Sequence, residues 1–355
     1  MENLKEVLEK AVKSGASDVF IITGAPLSYK LNGHILPQYE EKVSPETSDA
    51  VIRQIYELAG RPMDRLLEQG DDDFAFALPG VSRFRASTYK QRGTLAAVIR
   101  IITFGIPDYR ELGIPEEVMR VSERTKGLVL VTGPAGGGKS TTLACMIDRI
   151  NETREGHIIT LEEPIEFLHR NKKSVISQRE VELDTQNYVT ALRACLRQAP
   201  DVILLGEMRD LETIQTAMTA AETGHLVIST LHTVGAANTI DRIVDVFPPE
   251  QQQQIKIQLA MLLQSVVSQQ LIPTVKGGLV PAFEIMHVTS AVRTMIREGK
   301  VHQIDTVIAS SAAAGMVGMD ASLLDLYHKG VISEEMAIRY SVNTDLVAKR
   351  VKGVR

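Results

Sequence analysis

The run Gly133-Pro134-Ala135-Gly136-Gly137-Gly138-Lys139-Ser140 stands between the apolar stretch Gly127-Leu128-Val129-Leu130-Val131-Thr132 and the segment Thr141-Thr142-Leu143-Ala144-Cys145-Met146-Ile147. It fits the pattern G-x-x-x-x-G-K-[ST], and its flanks read as a strand before it and a helix after it, the context in which that pattern binds phosphate. Glycines let the backbone take positive φ and turn several N–H groups onto phosphate oxygens, and a helix N-terminus adds roughly half a positive charge. Lys139 is expected to reach the β and γ phosphates and Ser140 to ligate Mg²⁺, with Thr141 counted among the nucleotide-binding residues. The alternative is a glycine-rich turn that binds nothing, and the agreement of the run with both flanks favours a nucleotide.

Working outward, 355 residues leave room for two domains, and 44% hydrophobic with 23% charged residues is ordinary globular composition. A net charge of −5 gives no global footprint for nucleic acid, which is not expected as a partner. Cys145 and Cys195 form no C-x-x-C pair, so neither a disulfide framework nor a zinc ribbon is indicated. No apolar run is long enough to span a membrane and Met1-Glu2-Asn3-Leu4-Lys5-Glu6 does not read as a leader, so a cytoplasmic location is expected.

Leu4, Val7, Leu8, Ala11 and Val12 recur at helical spacing, and Gly15 stops that helix. Strand-like pieces follow at 18–23, 28–31, 74–78, 84–89 and 95–102, with a helix-like segment near 48–59, the outline of a small α/β domain over residues 1–102. Gly105, Pro107, Gly113 and Pro115 break both periodicities, which predicts an interdomain linker at 103–115. Over 116–355, apolar strands near 128–132, 157–161, 202–206 and 226–231 alternate with helices, predicting a mostly parallel sheet covered on both faces. From about 250 onward the pattern reads as largely helical: 251–271, 291–298, 302–314, 322–328 and 333–340.

Hydrolysis of a nucleoside triphosphate needs carboxylates beyond the loop. Asp201-Val202-Ile203-Leu204-Leu205-Gly206-Glu207 ends an apolar strand in Glu207, with Gly206 where the usual Walker B aspartate stands; a salt bridge with Arg209 is the alternative role. Thr160-Leu161-Glu162-Glu163-Pro164-Ile165-Glu166 gathers carboxylates after another strand of the same sheet, either as a solvated acidic turn or, as its position favours, as part of the site. His225 and His232 bracket a strand and stand too far apart to share a metal; each is either a γ-phosphate partner or an ordinary histidine.

Together these segments resemble the hexameric type II/type IV secretion ATPases, and within them the pilus-retraction branch. The residues that carry the resemblance are the phosphate loop, Glu162-Glu163-Pro164-Ile165-Glu166, Gly206-Glu207-Met208-Arg209-Asp210, and Thr219-Ala220-Ala221-Glu222-Thr223-Gly224-His225 through Thr230-Leu231-His232-Thr233. The resemblance implies a PAS-like N-terminal domain, a RecA-like ATPase domain with C-terminal helices from about 290, and a homohexamer that hydrolyses ATP with Mg²⁺. It implies Glu166 as general base, Glu207 acting on Mg²⁺ through water, and His225 and His232 as nucleotide-responsive groups with His232 nearer the γ-phosphate. Ser82-Arg83-Phe84-Arg85 and Val98-Ile99-Arg100 resemble segments that present catalytic arginines, and Arg83 and Arg100 are the favoured pair, with surface salt bridges as the other account.

An N-terminal domain of only about a hundred residues and the lack of four cysteines favour retraction over assembly. Ala291-Val292-Arg293-Thr294-Met295-Ile296-Arg297 resembles the branch's Ala-Ile-Arg-Asn-Leu-Ile-Arg motif, departing at Val292, Thr294 and Met295. Ala135 and Gly137 replace the family's Thr and Ser, which predicts weaker but surviving nucleotide binding. The implied partners are an inner-membrane pilus platform protein, pilin indirectly, and through them the membrane. A pilus-assembly or type II secretion ATPase, a slow nucleotide-gated scaffold and a DNA-translocating ring are the competing readings.

Overall fold

The computed structural model describes residues 3–31, 33–102 and 105–353. It divides into two compact units, Met1–Gly105 with Glu166–Leu168, and Ile106–Ile165 with His169–Arg355. Both are α/β.

In the first unit the order is α1 (Leu4–Lys13), β1 (Asp18–Ile21), β2 (Pro26–Leu31), β3 (His34–Lys42), α2 (Pro45–Ala59), α3 (Asp64–Gln69), β4 (Asp71–Leu78), β5 (Ser82–Gln91) and β6 (Thr94–Ile102). The strands form one antiparallel sheet in the order β3-β2-β1-β6-β5-β4. The apolar stripe of α1, Leu4, Val7, Leu8 and Ala11, is buried with Val51, Ile52 and Ile55 of α2 in one core with Phe84 and Ile99 of the sheet. Ser44 caps α2 by accepting from the Thr47 N–H, and Gly60 ends it in the left-handed region. β3 was not foreseen from the sequence. It is an edge strand with almost every residue exposed, so it buries no alternate face and shows no alternation to detect.

The second unit begins earlier than the sequence suggests. Of the expected linker, residues 103 and 104 lie outside the described residues, while Ile106, Tyr109, Leu112 and Ile114 pack into the second unit's core. The glycines and prolines there shape a packed irregular segment instead of a free tether.

The elements that follow are α4 (Glu116–Arg120), β7 (Gly127–Thr132), α5 (Lys139–Thr153), β8 (His157–Glu162), β9 (Val175–Glu180), α6 (Tyr188–Cys195), β10 (Val202–Leu205), α7 (Leu211–Glu222), β11 (Leu226–Leu231), α8 (Ala236–Asp245), α9 (Pro249–Leu262), β12 (Leu263–Pro273), β13 (Leu279–His287), α10 (Ser290–Glu298), α11 (Ile304–Ser310), α12 (Met319–His328), α13 (Glu334–Arg339) and α14 (Thr344–Val351). The sheet runs β13-β12-β7-β11-β10-β8-β9, parallel throughout except for β13. Successive residues of β7 serve opposite faces: Leu128 and Leu130 join one core cluster, Val129 and Val131 another. Burial on both faces is why β7 and β10 read as nearly continuous apolar runs, and in β11 it also encloses Ser229 and Thr230. α5 supplies Leu143, Met146, Ile147 and Ile150 to one face, and α6 to α9 cover the other.

One expectation is corrected here. The helix expected over 251–271 ends at Leu262, and Leu263–Pro273 is β12, paired in parallel with β7 and antiparallel with β13. The residues Leu263-Gln264-Ser265-Val266-Val267-Ser268-Gln269-Gln270-Leu271 carry no turn signal from the helix before them, and a fully buried strand has no period-2 signature. Beyond it α12 to α14 form a smaller core of their own on Ile272 and Ala282. Among the described residues no helix is long and apolar enough to cross a membrane.

Candidate active site

The loop after β7 and the first turn of α5 build the site's floor. Gly133 takes φ 141°, Gly136 φ 73° and Gly138 φ 83°, with Gly138 at the N-cap of α5. A Cβ at Gly133 would lie 2.1 Å from the Gln269 carbonyl oxygen, so this glycine is required by close backbone approach as well as by φ. Pro134, Ala135, Gly136 and Ser140 are exposed, Gly138 and Thr141 are half-buried, and Gly137 is buried. The Lys139 Nζ is buried in the loop, donating to the Gly133 and Pro134 carbonyls at 2.8 Å each.

Glu207 follows β10 at the same carboxyl edge. β7, β11 and β10 are parallel and in register, so the residues after their last pairs emerge together. The Glu207 carboxylate is buried, with one oxygen 2.9 Å from His232 Nε2 and the other against the Arg209 guanidinium. Arg209 also stands 3.8 Å from Glu163, so the salt bridge weighed as an alternative role for Glu207 does form, within a larger charge cluster. Burial, and then the charges of Lys139 and Arg209, hold His232 below the usual imidazole range. A contact with Glu207 by itself favours the imidazolium, but Arg209 already compensates that carboxylate. These influences favour the neutral ring in the hydrogen bond between His232 and Glu207.

Gly206 cannot carry a side chain without rearrangement: its Cβ would meet the Tyr188 hydroxyl at 2.6 Å and the Leu161 carbonyl at 3.2 Å. A side chain here, the aspartate of the usual pattern included, would compete with Tyr188 for the same space. The strand end is fixed by Gly206 N donating to Leu161 O at 2.7 Å, Thr230 Oγ1 donating to Gly206 O at 2.6 Å, and Met208 N donating to Thr230 O at 3.1 Å.

The acidic segment after β8 splits. Glu162 is half-buried and accepts from Thr160 Oγ1 at 2.5 Å and Gln178 Nε2 at 3.2 Å. Glu166 is exposed on a loop whose flanks are tied to β9, Ile165 N donating to Glu180 Oε2 at 3.1 Å and His169 N donating to Gln178 Oε1 at 2.8 Å.

His225 stands elsewhere. It precedes β11, at the amino edge of the sheet, with Nδ1 3.0 Å from Ala220 O and 3.1 Å from Thr223 Oγ1. It lines a cavity of about 300 Å³ with Arg154, His157 and Asp201 at that edge. The length of β11 separates it from the phosphate loop of its own chain, so it does not meet His232, Glu207 or Lys139 there. Arg83 and Arg100 belong to the first unit. The β5–β6 register sets Arg85 opposite Arg100, and Arg83 lies two residues from Arg85, so these arginines share one face. Arg100 is paired with the buried Asp18, Nε to Oδ1 3.0 Å.

A parallel sheet with a glycine-rich loop and helix N-terminus at its carboxyl edge, beside a lysine and a buried carboxylate, defines a P-loop nucleotide-binding domain. The family model for type II/IV secretion system proteins matches residues 1–316. The chain belongs to that family. It is similar to the type IV pilus retraction ATPase PilT of Pseudomonas aeruginosa, 46% identical over 94% of this chain and 97% of that protein. It is also similar to a twitching motility protein of Neisseria gonorrhoeae, 49% identical over 77% of this chain and 73% of that one. A solved structure of the pilus retraction motor PilT with bound ADP superposes with a TM-score of 0.89 at 43% identity, covering 98% of each chain.

Sequence reasoning missed Tyr188 and Gln269. Neither belongs to a motif, and each reaches the site only through sheet pairing or helix packing.

Proposed function

We propose that the chain is an ATP-hydrolysing motor of type IV pilus retraction, working as a homohexamer at the inner face of the cytoplasmic membrane. The observation that carries the enzymatic part is the meeting of the phosphate loop, Lys139, the buried Glu207 and His232 at one sheet edge. Similarity to the retraction ATPase over nearly the whole length of both chains supports the direction of work. In this reading the first unit is PAS-like and the second RecA-like, acting on an inner-membrane platform protein and through it on pilin.

The loop N–H groups and Lys139 would hold the β and γ phosphates. Among the described residues no three His, Cys, Asp or Glu side chains gather as a metal site. Ser140 is exposed at the start of α5, and Glu207, whose carboxylate His232 and Arg209 already hold, would act through water; a hydroxyl and an outer carboxylate fit Mg²⁺ completed by phosphate oxygens and water. When bound, the ion would neutralise charge on the phosphates. Glu166 would take a proton from the attacking water as the bond from the γ phosphorus to the β–γ bridging oxygen breaks and ADP leaves. Neutral His232 would hold Glu207 and respond to the γ phosphate. Arg83 and Arg100 would offset the developing charge, a contribution of roughly 10³ to 10⁵ where an arginine finger operates. Arg100 would have to leave Asp18 to do so.

The test is Mg²⁺-dependent phosphate release by the purified chain beside Lys139→Ala and Glu166→Gln, with oligomer mass recorded on the same samples. Turnover by a hexamer, lost in both variants, is the expected result. Nucleotide binding without turnover points to a nucleotide-gated scaffold instead. In cells, a deletion strain that becomes hyperpiliated supports retraction, and a bald one supports assembly.

A further inference from the structure

We propose that Gln269 is the positioning residue of the phosphate loop, holding Gly133–Gly138 and the first turn of α5 in the geometry that receives a nucleotide. The inference rests on the nucleotide reading above and assigns to β12 a part in binding that no motif marks.

The register sets Ser268 of β12 level with Thr132, the last residue of β7, so Gln269 comes level with Gly133 as the loop leaves the sheet. Its carbonyl oxygen lies 2.1 Å from where a Gly133 Cβ would be and 3.3 Å from where a Gly137 Cβ would be. Its Nε2 lies 2.7 Å from the Cβ position of Gly138. Its Oε1 accepts from Thr142 Oγ1 at 2.7 Å, and Gln269 and Thr142 are 2% and 0% exposed. The backbone carbonyl of this buried residue underlies Gly133 and Gly137, while its side-chain amide underlies Gly138 and ties the loop to the helix that follows.

The side-chain type matters. A buried amide is unfavourable unless hydrogen-bonded, and leucine would fill a similar volume without the acceptor. Glutamate would keep the acceptor but place negative charge beneath the phosphates. A loop with Gly136, Gly137 and Gly138 in succession has much backbone freedom to lose, and a loop that orders only on binding charges that entropy to affinity. A floor already in place removes the charge from the binding step. Loss of Gln269 should therefore raise KM and Kd more than it lowers kcat.

The experiment measures the affinity of the full chain for fluorescent ADP, and steady-state phosphate release from ATP, in Gln269→Leu, Thr142→Val and the double variant. Oligomer mass and circular dichroism are recorded alongside. Each single variant is expected to bind ADP roughly five- to tenfold more weakly, the worth of about one net hydrogen bond, with KM for ATP raised and kcat within about twofold. The double variant should be no weaker than the worse single one, because both remove the same contact. A packing defect alone would lower mass and kcat together, without the split between KM and kcat.

Affinity within twofold of the unsubstituted chain in both singles, or effects that multiply in the double, overturns the role. Should Gln269→Leu fail to fold, Thr142→Val decides by the same criterion. If the unsubstituted chain binds no ADP, it is the nucleotide reading that falls, and this inference with it.

Discussion

His232 sits among charges of both signs, and its proton tells which set dominates. Burial, Lys139 and Arg209 lower its pKa, so the folded chain resists a proton that the unfolded chain accepts near the ordinary value of about 6.5. We expect a histidine NMR resonance that titrates below 6.5 and shifts upward in Lys139→Ala. A midpoint at or above 6.5 would mean that Glu207 controls the ring instead. Gly206 is a second residue-scale case. Gly206→Ala brings a methyl to 2.6 Å from the Tyr188 hydroxyl and should destabilise the chain by about 1–3 kcal/mol in chemical denaturation. Tyr188→Phe in the same chain should recover part of that loss, and equal midpoints with and without it would exclude the hydroxyl as the obstacle.

At the scale of elements, the phosphate loop is a joint between β7, α5 and β12, and its glycines are not equivalent. Gly133 combines φ 141° with a carbonyl 2.1 Å from its missing Cβ, whereas Gly136 has φ 73° and nothing within 4 Å. Gly133→Ala should abolish ADP binding and lower the melting temperature. Gly136→Ala should cost about 1–2 kcal/mol from its left-handed backbone alone and leave binding measurable. Equal effects of the two would show that close packing on β12 is not what sets the loop. The loop that carries Glu166 is shaped by another strand: β9 points Gln178 and Glu180 to the same face, and each accepts a backbone N–H from one flank of that loop.

At the scale of the molecule, acid sensitivity should follow from His169 in the second unit. Burial, opposed by Asp148 and reinforced by Lys172, depresses its pKa to about 4. Between about 6.5 and 4 the unfolded chain binds a proton that the folded chain refuses, so stability declines as pH falls through that window. The denaturation midpoint should therefore drop from pH 7 to pH 5, and His169→Gln should shrink the drop. An unchanged drop would place the acid-sensitive group elsewhere. Assembly belongs to this scale too. Lys139, Glu207 and His232 gather at the second unit's sheet edge, and the arginines proposed for catalysis, Arg83 and Arg100, belong to the first unit. On the proposed homohexameric reading, dilution below its dissociation threshold should reduce turnover per chain faster than it reduces nucleotide binding.

The sequence by itself determined what local chemistry can determine. The phosphate loop, the strand before it and the helix after it are contiguous, so spacing alone set Lys139 and Ser140 at the start of the helix. Glu207 was legible because an apolar strand ending in a carboxylate needs no partner to be recognised. α1 and α2 announced themselves through a stripe at helical spacing, and the parallel strands through buried runs between turns. Tertiary structure decided whatever depends on who lies beside whom. β12 reads like the helix before it until β7 and β13 pair with its backbone, and only that pairing puts Gln269 under the glycines. The sequence already set His225 and His232 at opposite ends of one strand, but only the parallel register shows that His232 is the one at the phosphate-loop edge, and only the packing of α6 shows what a side chain at position 206 would meet. Hydrophobic period and turn chemistry are written along the chain. Register and close approach arise between segments distant in sequence, and no window along the chain contains both sides of the contact.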